Sequence, residues 1–386
     1  MAANVAGPVI GLVAGEASGD LLGAHLVEAL KSRRPDLQFR GVAGPRMIAA
    51  GVGALYPMEK LAVRGYVEVL KHYLEIVSIR RRLRQHFLSN PPVVFIGIDA
   101  PDFNLDLELA LRQAGIPTIH YVSPSIWAWR GERIHKIKQA ADRVLTLFPF
   151  EKAIYDQAGI AASYVGHPLA DMLHDYPSPE SVRARLKIGR NDAVVALLPG
   201  SRVSELQNMA QLFADSARQI AKAAPRVKFI APLINSDTRM LFEQAMARVG
   251  GLDILVLNGQ SHDAIAASDV ALVASGTATL EAALLQRPMV ITYRMPRLSW
   301  WMMNPRRYQP YVGLPNILAG EFVVPEFLQD AATPENLAYA VVDLLNDAPR
   351  REHMRQRFSG MLTALRQNTS QKAADAVMPY LEQRAP

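Results

Sequence analysis

No cysteine occurs among the 386 residues, which excludes disulfides, thiolate zinc sites and dithiol redox chemistry and agrees with a reducing cytosol. No apolar run approaches the roughly 18 residues that a bilayer-spanning helix needs. The opening segment Met-Ala-Ala-Asn-Val-Ala-Gly-Pro lacks the basic region of a signal peptide, so a cytoplasmic chain is expected. Charged residues make up 20% of the sequence, too few for disorder and too many for a multispanning membrane protein. The motifs G-x-x-x-x-G-K-[ST], H-E-x-x-H and G-x-S-x-G are absent, as is a complete G-x-G-x-x-G after the first apolar run. Asp-x-Asp is missing too. A departing nucleotide diphosphate would then be neutralised by something other than a carboxylate-held cation.

What is present is an excess of basic residues, 42 against 36 acidic, for a net charge of +6. Apart from Arg80, Arg81, Arg82 and Arg84 the basic residues are scattered, and no nucleic-acid motif accompanies them. No nucleic-acid partner is expected. Phosphorylated substrates and an anionic membrane face suit this charge equally well.

Short β-branched apolar runs alternate with longer stretches of 3.6-residue period, the pattern of parallel strands joined by crossover helices. In the first half the runs are Val9–Ala14, Val93–Ile98, Thr118–Val122 and Val144–Leu147. The segment Asp175-Tyr-Pro-Ser-Pro-Glu180 breaks the pattern. It restarts with Ala193–Leu198, Val227–Ala231, Ile254–Leu257, Val270–Ala274 and Met289–Tyr293, then turns helical from Pro334. The fold class is therefore α/β, with two doubly wound sheets: residues 1–175, residues 176–365, and a closing helical segment 366–386. Ligands in such sheets bind beyond the carboxyl ends of the strands, and two facing sheets offer a cleft.

Candidate site residues stand just after strands. Ala193–Leu198 leads into Pro199-Gly200-Ser201-Arg202 and a long helix, where glycine admits a ligand, helix-start amides point outward and Arg202 adds a fixed cation. A second turn of this kind, Ser275-Gly276-Thr277-Ala278-Thr279-Leu280-Glu281, makes an anion cradle with a carboxylate one turn in, suited to ribose hydroxyls. Ordinary strand-to-helix turn chemistry explains either turn alone, but less readily both in this order. Asp99, ending Val93–Ile98, can take a proton from an attacking hydroxyl or simply form the turn. Asp102 reads as the cap of the next helix. The turn Gly15-Glu16-Ala17-Ser18-Gly19-Asp20 suits a phosphate, a sugar or a plain tight turn. Ser123-Pro-Ser125-Ile-Trp127-Ala-Trp129-Arg130 brings two indoles near the same edge, where sugar contact competes with core packing. His167 reads as a satisfied loop histidine.

Along Leu61–Leu83 the polar residues form one narrow stripe, and the rest is largely apolar: Val63, Tyr66, Val67, Val69, Leu70, Tyr73 and Leu74 among others. Followed by arginines, this face suits an anionic membrane and lipid tails; a buried core or subunit-interface helix is the competing reading.

Taken in order, the blocks Gly15–Asp20, Gly41–Arg46, Ile98–Asn104, His120–Trp129, Leu198–Arg202, Ala274–Glu281 and Leu314–Ala319 resemble those of the lipid-A-disaccharide synthase family over nearly the whole chain. The resemblance implies a GT-B fold of two Rossmann-like domains, with the closing helix 366–386 packing back on the first. It also implies an inverting, metal-free transfer without cofactor, joining UDP-2,3-diacylglucosamine to 2,3-diacylglucosamine 1-phosphate and releasing UDP. Asp99 would be the base. Gly200, Ser201, Arg202, Ser275, Gly276, Thr277, Ala278, Thr279, Glu281 and Asn316 would serve the donor, and Glu16, Ser18, Gly19, Ser125 and Trp127 the acceptor side. The family implies a peripheral location on the cytoplasmic face of the Gram-negative inner membrane, and a homodimer. Two rivals remain: another UDP-N-acetylglucosamine enzyme of GT-B fold, such as a lipid II-forming transferase or a 2-epimerase, and a non-catalytic nucleotide-sugar or lipid-binding protein.

Overall fold

The computed structural model describes residues 7–61, 66–297, 300–301 and 308–382. The chain divides into two compact units, Met1–Asp171 with Leu365–Pro386, and Met172–Ala364. Each is built on one parallel sheet.

The first sheet contains β1 (Val9–Ala14), β2 (Gln38–Ala43), β3 (Val52–Pro57), β4 (Val94–Ile98), β5 (Thr118–Tyr121), β6 (Arg143–Thr146) and β7 (Ala162–Tyr164), in the order β3-β2-β1-β4-β5-β6-β7. The second contains β8 (Val194–Leu198), β9 (Lys228–Leu233), β10 (Ile254–Asn258), β11 (Val270–Ala274), β12 (Met289–Tyr293) and β13 (Glu326–Leu328), in the order β10-β9-β8-β11-β12-β13. In each sheet the chain winds outward one way from its first strand and then returns to wind the other way. The switch point lies between β1 and β4 in the first unit and between β8 and β11 in the second. The strands at these points, Val-Phe-Ile-Gly-Ile, Val-Val-Ala-Leu-Leu and Val-Ala-Leu-Val-Ala, are buried at every position. Helices cover both faces of such strands, which is why they read as unbroken apolar runs.

Four strands, β2, β3, β7 and β13, are additions to those expected from the sequence. β5 stops at Tyr121, because Val122 turns to φ 81°, a left-handed conformation costly for a β-branched residue. Pro179 opens the helix Pro179–Arg185, whose first turn is capped by Ser178 Oγ accepting the Ser181 N–H.

The first unit is closed by its own carboxyl-terminal segment. The helix Thr369–Glu382 places Ala373, Ala374, Val377 and Leu381 in the same core cluster as Leu26 and Leu30 of the helix Ala17–Arg33. An Arg33–Asp375 ion pair at 2.6 Å lies outside this contact. The carboxylate of Asp171 accepts the N–H groups of Asn368 and Thr369 at 3.0 and 2.7 Å, fixing where the returning segment begins.

The segment expected to meet a membrane is the helix Tyr66–Ser89. Its later turns belong to the core, through buried Ile79, Leu83 and Phe87 at a spacing of four. Tyr73 and Leu74 are 56% and 80% exposed. Val63 lies outside the described residues, and Tyr66, Val67, Val69 and Leu70 are described only as helical backbone. No helix among the described residues is long and apolar enough to cross a membrane.

Asp20 links two glycine-containing blocks. Only 2% exposed, it accepts the N–H groups of Gly44, Arg46 and Met47 at 2.9, 2.9 and 3.0 Å. Bonds to a charged acceptor are the stronger kind, and all three bonds are buried or half-buried. Asp20→Ala should therefore lower stability by about 3 kcal/mol, read as a fall in the urea midpoint. An unchanged midpoint would contradict this role.

Candidate active site

At the switch point of the second sheet lies a cavity of about 370 Å³. Its walls include Gly200, Ser201, Arg202 and Glu205 after β8, and Ser275, Gly276, Thr277, Ala278 and Glu281 after β11. The two turns singled out in the sequence thus face one space. Pro232 and Ile234 after β9, and Gly259 and Ser261 after β10, complete it. Sequence reasoning missed these four, although Gly259-Gln260-Ser261 is a strand-to-helix turn of the same kind.

Gly200 has φ +126°, and a Cβ there would stand 2.7 Å from Glu205 Oε2. Glu205 fills the space that glycine leaves. Its Oε2 accepts the Ser201 and Arg202 N–H groups at 2.8 and 3.2 Å. This corrects the expectation of free amides at the first turn, since a carboxylate from the same helix occupies two of them. The Arg202 guanidinium lies at the cavity: its side chain is 62% exposed, with Nη1 3.6 Å from Glu205 Oε1. The second turn behaves differently. Gly276, with φ +155°, opens the helix Thr277–Leu284, and no side chain among the described residues caps it. First-turn amides left this way carry the positive end of the helix dipole. Among the described residues, Glu281, one turn in, has Ser261 Oγ at 3.4 Å and His262 Nε2 at 3.5 Å beside its carboxylate. Acceptor capacity remains for hydroxyls.

Two donor-side assignments are corrected. Thr279 is fully buried, and its hydroxyl and N–H both go to Gly276 O, so it builds the turn and does not line the cavity. Asn316 is fully buried as well. Its amide donates to Val324 O and Glu326 Oε1 and accepts the N–H groups of Val323 and Val324, all between 2.8 and 2.9 Å. With every position used, it has none left for a donor.

In the first unit, Asp99 ends β4 at φ 53°, and Ala100 follows at φ 43°. Two consecutive non-glycine residues in the left-handed region are costly, and such strain concentrates at functional sites. The Asp99 N–H donates to Tyr121 O at 2.8 Å, and Asn104 Nδ2 donates to Asp99 O at 2.8 Å. The side chain is half-buried at the carboxyl edge of the sheet. Gly15 abuts Ala100, so the Gly15–Asp20 turn adjoins the Asp99 turn, with Glu16 and Ser18 exposed there. Gly19 is corrected: it is buried, 3.4 Å from Ile98 O at its would-be Cβ, and serves helix-to-strand packing. Asp102 is also corrected, for it lies inside the helix Pro101–Gln113 and pairs with Arg133 at 2.5 Å.

The loop after β5 is anchored from below. Ser125 at its crest is exposed. Trp127 meets Phe148 and Phe150 edge-on, and its indole N–H donates to Glu151 Oε1 at 3.0 Å. That indole is committed to the protein, while Trp129 is more open and carries the Arg130 guanidinium 4.3 Å over its ring. Glu151 Oε2 accepts the Leu147 and Phe148 N–H groups at 3.1 and 3.0 Å. His167 is the satisfied loop histidine expected, its Nδ1 accepting the Leu169 N–H at 3.3 Å.

Burial lifts the Glu151 carboxyl to about 7, against the hydrogen bonds that favour its charge. The folded chain then holds a proton that the unfolded chain has released, so this group's share of stability falls as pH rises from about 4.5 to about 7. Burial lowers His167 to about 4, with the opposite sign: between there and about 6.5 its share rises with pH. Above about pH 6.5 the rise from His167 tapers off and the fall from Glu151 is the larger of the two. Between about pH 6.5 and 7.5 Glu151 should lower stability by about 0.7 kcal/mol. Urea midpoints across this window should show the decline shrinking by that amount in Glu151→Gln; an identical slope would contradict it.

The family described as Lipid-A-disaccharide synthetase matches residues 10–378. A lipid-A-disaccharide synthase of Methylobacillus flagellatus is 54% identical over 377 residues, covering 97% of this chain and all of the relative. Among solved structures, the UDP-GlcNAc 2-epimerase of Neisseria meningitidis bound to UDP-GlcNAc is similar with TM-score 0.64 at 14% identity, covering 97% of this chain and 100% of the other. The calicheamicin glycosyltransferase CalG4 is similar with TM-score 0.63 at 14% identity, covering 98% and 100%. At such identities the structures speak for the fold, two Rossmann-like units of GT-B type. The identity to the synthase speaks for more, and the chain belongs to the lipid-A-disaccharide synthase family of glycosyltransferases.

Proposed function

We propose that the cavity of the second unit binds the UDP moiety of a 2,3-diacylglucosamine donor. Asp99 of the first unit then removes the proton from the 6-hydroxyl of 2,3-diacylglucosamine 1-phosphate. One observation carries this reading: an exposed guanidinium, an uncapped helix start and a carboxylate converge on a single cavity at the second switch point. About 370 Å³ lies within the range of small-molecule sites. The diphosphate lies against the Gly276–Ala278 amides and Arg202, and Glu281 accepts from the ribose hydroxyls. The Neisseria meningitidis neighbour, of the same fold, binds UDP-GlcNAc. The epimerase and binding-protein readings are less favoured, because the relative at 54% identity is named a synthase.

The attacking oxygen displaces UDP from the opposite side of the anomeric carbon, which inverts its configuration. Negative charge grows on the departing diphosphate while Asp99 takes up the proton. Arg202 and the fixed amide dipoles stabilise that charge without reorganising, so the reaction needs no metal ion. Exposed Tyr73 and Leu74, followed on the same helix by exposed Arg81, Arg82 and Arg84, suit a peripheral seat on an anionic membrane where diacylated sugars reside.

Incubation with the two diacylated sugars should yield the β-1,6-linked disaccharide 1-phosphate and UDP by mass spectrometry, at a rate unchanged by EDTA. Arg202→Ala and Asp99→Ala should each slow turnover roughly a hundred- to a thousandfold, the cost typical of losing one transition-state stabiliser, with the fold intact by circular dichroism. Near-normal turnover in either variant would remove that residue from its role.

A further inference from the structure

Two ionisable side chains that this reaction does not consume lie buried beneath Asp99. The helix Pro101–Gln113 carries Asn104 and Glu108 one turn apart, both fully buried. They fit against β4 because residue 97 is glycine: a Cβ there would collide with Glu108 Oε1 and stand 2.9 Å from Asn104 Cγ. His120 of β5 is paired in register with Gly97, so its side chain leaves the sheet on that same face. Its Nδ1 lies 2.8 Å from Glu108 Oε1, with both side chains at 0% exposure.

This cluster is tied to Asp99 from both ends. Asn104 Nδ2 donates to Asp99 O at 2.8 Å, and to Val13 O and Ile98 O at 3.4 Å. Tyr121, directly after His120, accepts the Asp99 N–H. Burial opposes a charge on His120, yet the Glu108 carboxylate beside it, and Asp99 after it, hold the imidazole above its ordinary range. Those two carboxylates are the charged groups that act on the ring, one from the covering helix and one from the end of β4. Glu108 Oε2, His120 Nε2 and Asn104 Oδ1 have no hydrogen-bond partner among the described residues. A polar pair buried with unsatisfied atoms is a poor way to stabilise a fold, since apolar side chains of similar volume often serve as well or better. Its place directly under the strained Asp99–Ala100 turn supplies another reason for it.

We propose that Glu108 and His120 are positioning residues for Asp99: the buried pair holds the left-handed turn in place and sets a positive group behind the carboxylate. The proposal rests on Asp99 being the base. One proton shared between Glu108 Oε1 and His120 Nδ1 keeps the pair neutral as a whole while leaving its imidazole end positive. Asp99 is then held fixed until the acceptor hydroxyl arrives.

The test uses the full-length enzyme in four forms: Glu108→Gln, the paired replacement Glu108→Met with His120→Phe, Asp99→Ala, and Asp99→Ala with Glu108→Gln. The paired replacement should keep the thermal midpoint of the parent or exceed it, while kcat falls about tenfold or more and donor KM stays within about twofold. In Glu108→Gln the imidazole loses the carboxylate that holds its proton. kcat should then fall about tenfold while donor KM stays within about twofold, since the turn that carries Asp99 loses its anchor. Added to Asp99→Ala, the Glu108 change should have no further effect on residual turnover. Parental kcat in Glu108→Gln would overturn the proposal, also where the paired replacement fails to fold. Inactive Asp99→Ala beside parental Glu108→Gln rejects the pair alone; active Asp99→Ala rejects the base assignment and the pair with it.

Discussion

Carboxylates that capture neighbouring backbone N–H groups hold the loops of this protein in place. Asp20 takes three such groups from the loop after β2 and the helix that follows. Glu151 takes two after β6, Glu205 two after β8, and Asp171 two where the chain returns to the first unit. Glu326 does the same for Val312 and Gly313. The need is general: a chain that leaves the carboxyl end of a parallel strand and starts a helix has amides with neither a ladder nor a helical partner. A carboxylate fills that need with charge-assisted bonds, roughly twice as strong as neutral ones.

At the cavity the helices Ser261–Ala267 and Thr277–Leu284 begin with no side-chain cap among the described residues. The neighbouring turn after β8 is pinned by Glu205, and Gly276, Thr277 and Ala278 line the cavity at a fixed helix start. Catalysis by electrostatic stabilisation depends on dipoles that are already oriented when charge develops. At the first sheet the arrangement is reversed. The Asp99 backbone is fully engaged in a strained turn, while its carboxylate is the group left available.

Much of this was legible in the sequence, for reasons that also show where legibility stopped. The central strands read clearly because helices on both faces make them apolar at every position. β2 and β3 did not, since Arg40, Gly41, Gly53 and Pro57 interrupt the pattern near the sheet edge, and β7 and β13 have three residues each. Glycine-led turns after strands marked the cavity, but Pro232 and Ile234 carry no chemical marker of their own. Asn316 was given a donor-side role through the resemblance alone; Glu326, brought alongside by β13, draws it inside. The Glu108–His120 pair could not be read at all. Its members lie on a helix and a strand, and only the register of β5 on β4 brings them together over Gly97.

The most direct test of this account is a crystal structure of the full chain with UDP. The account predicts the diphosphate against the amides of Thr277 and Ala278 with the Arg202 guanidinium closing on it, and the ribose hydroxyls on Glu281. Well-ordered UDP bound elsewhere, out of reach of both Arg202 and Glu281, would contradict it.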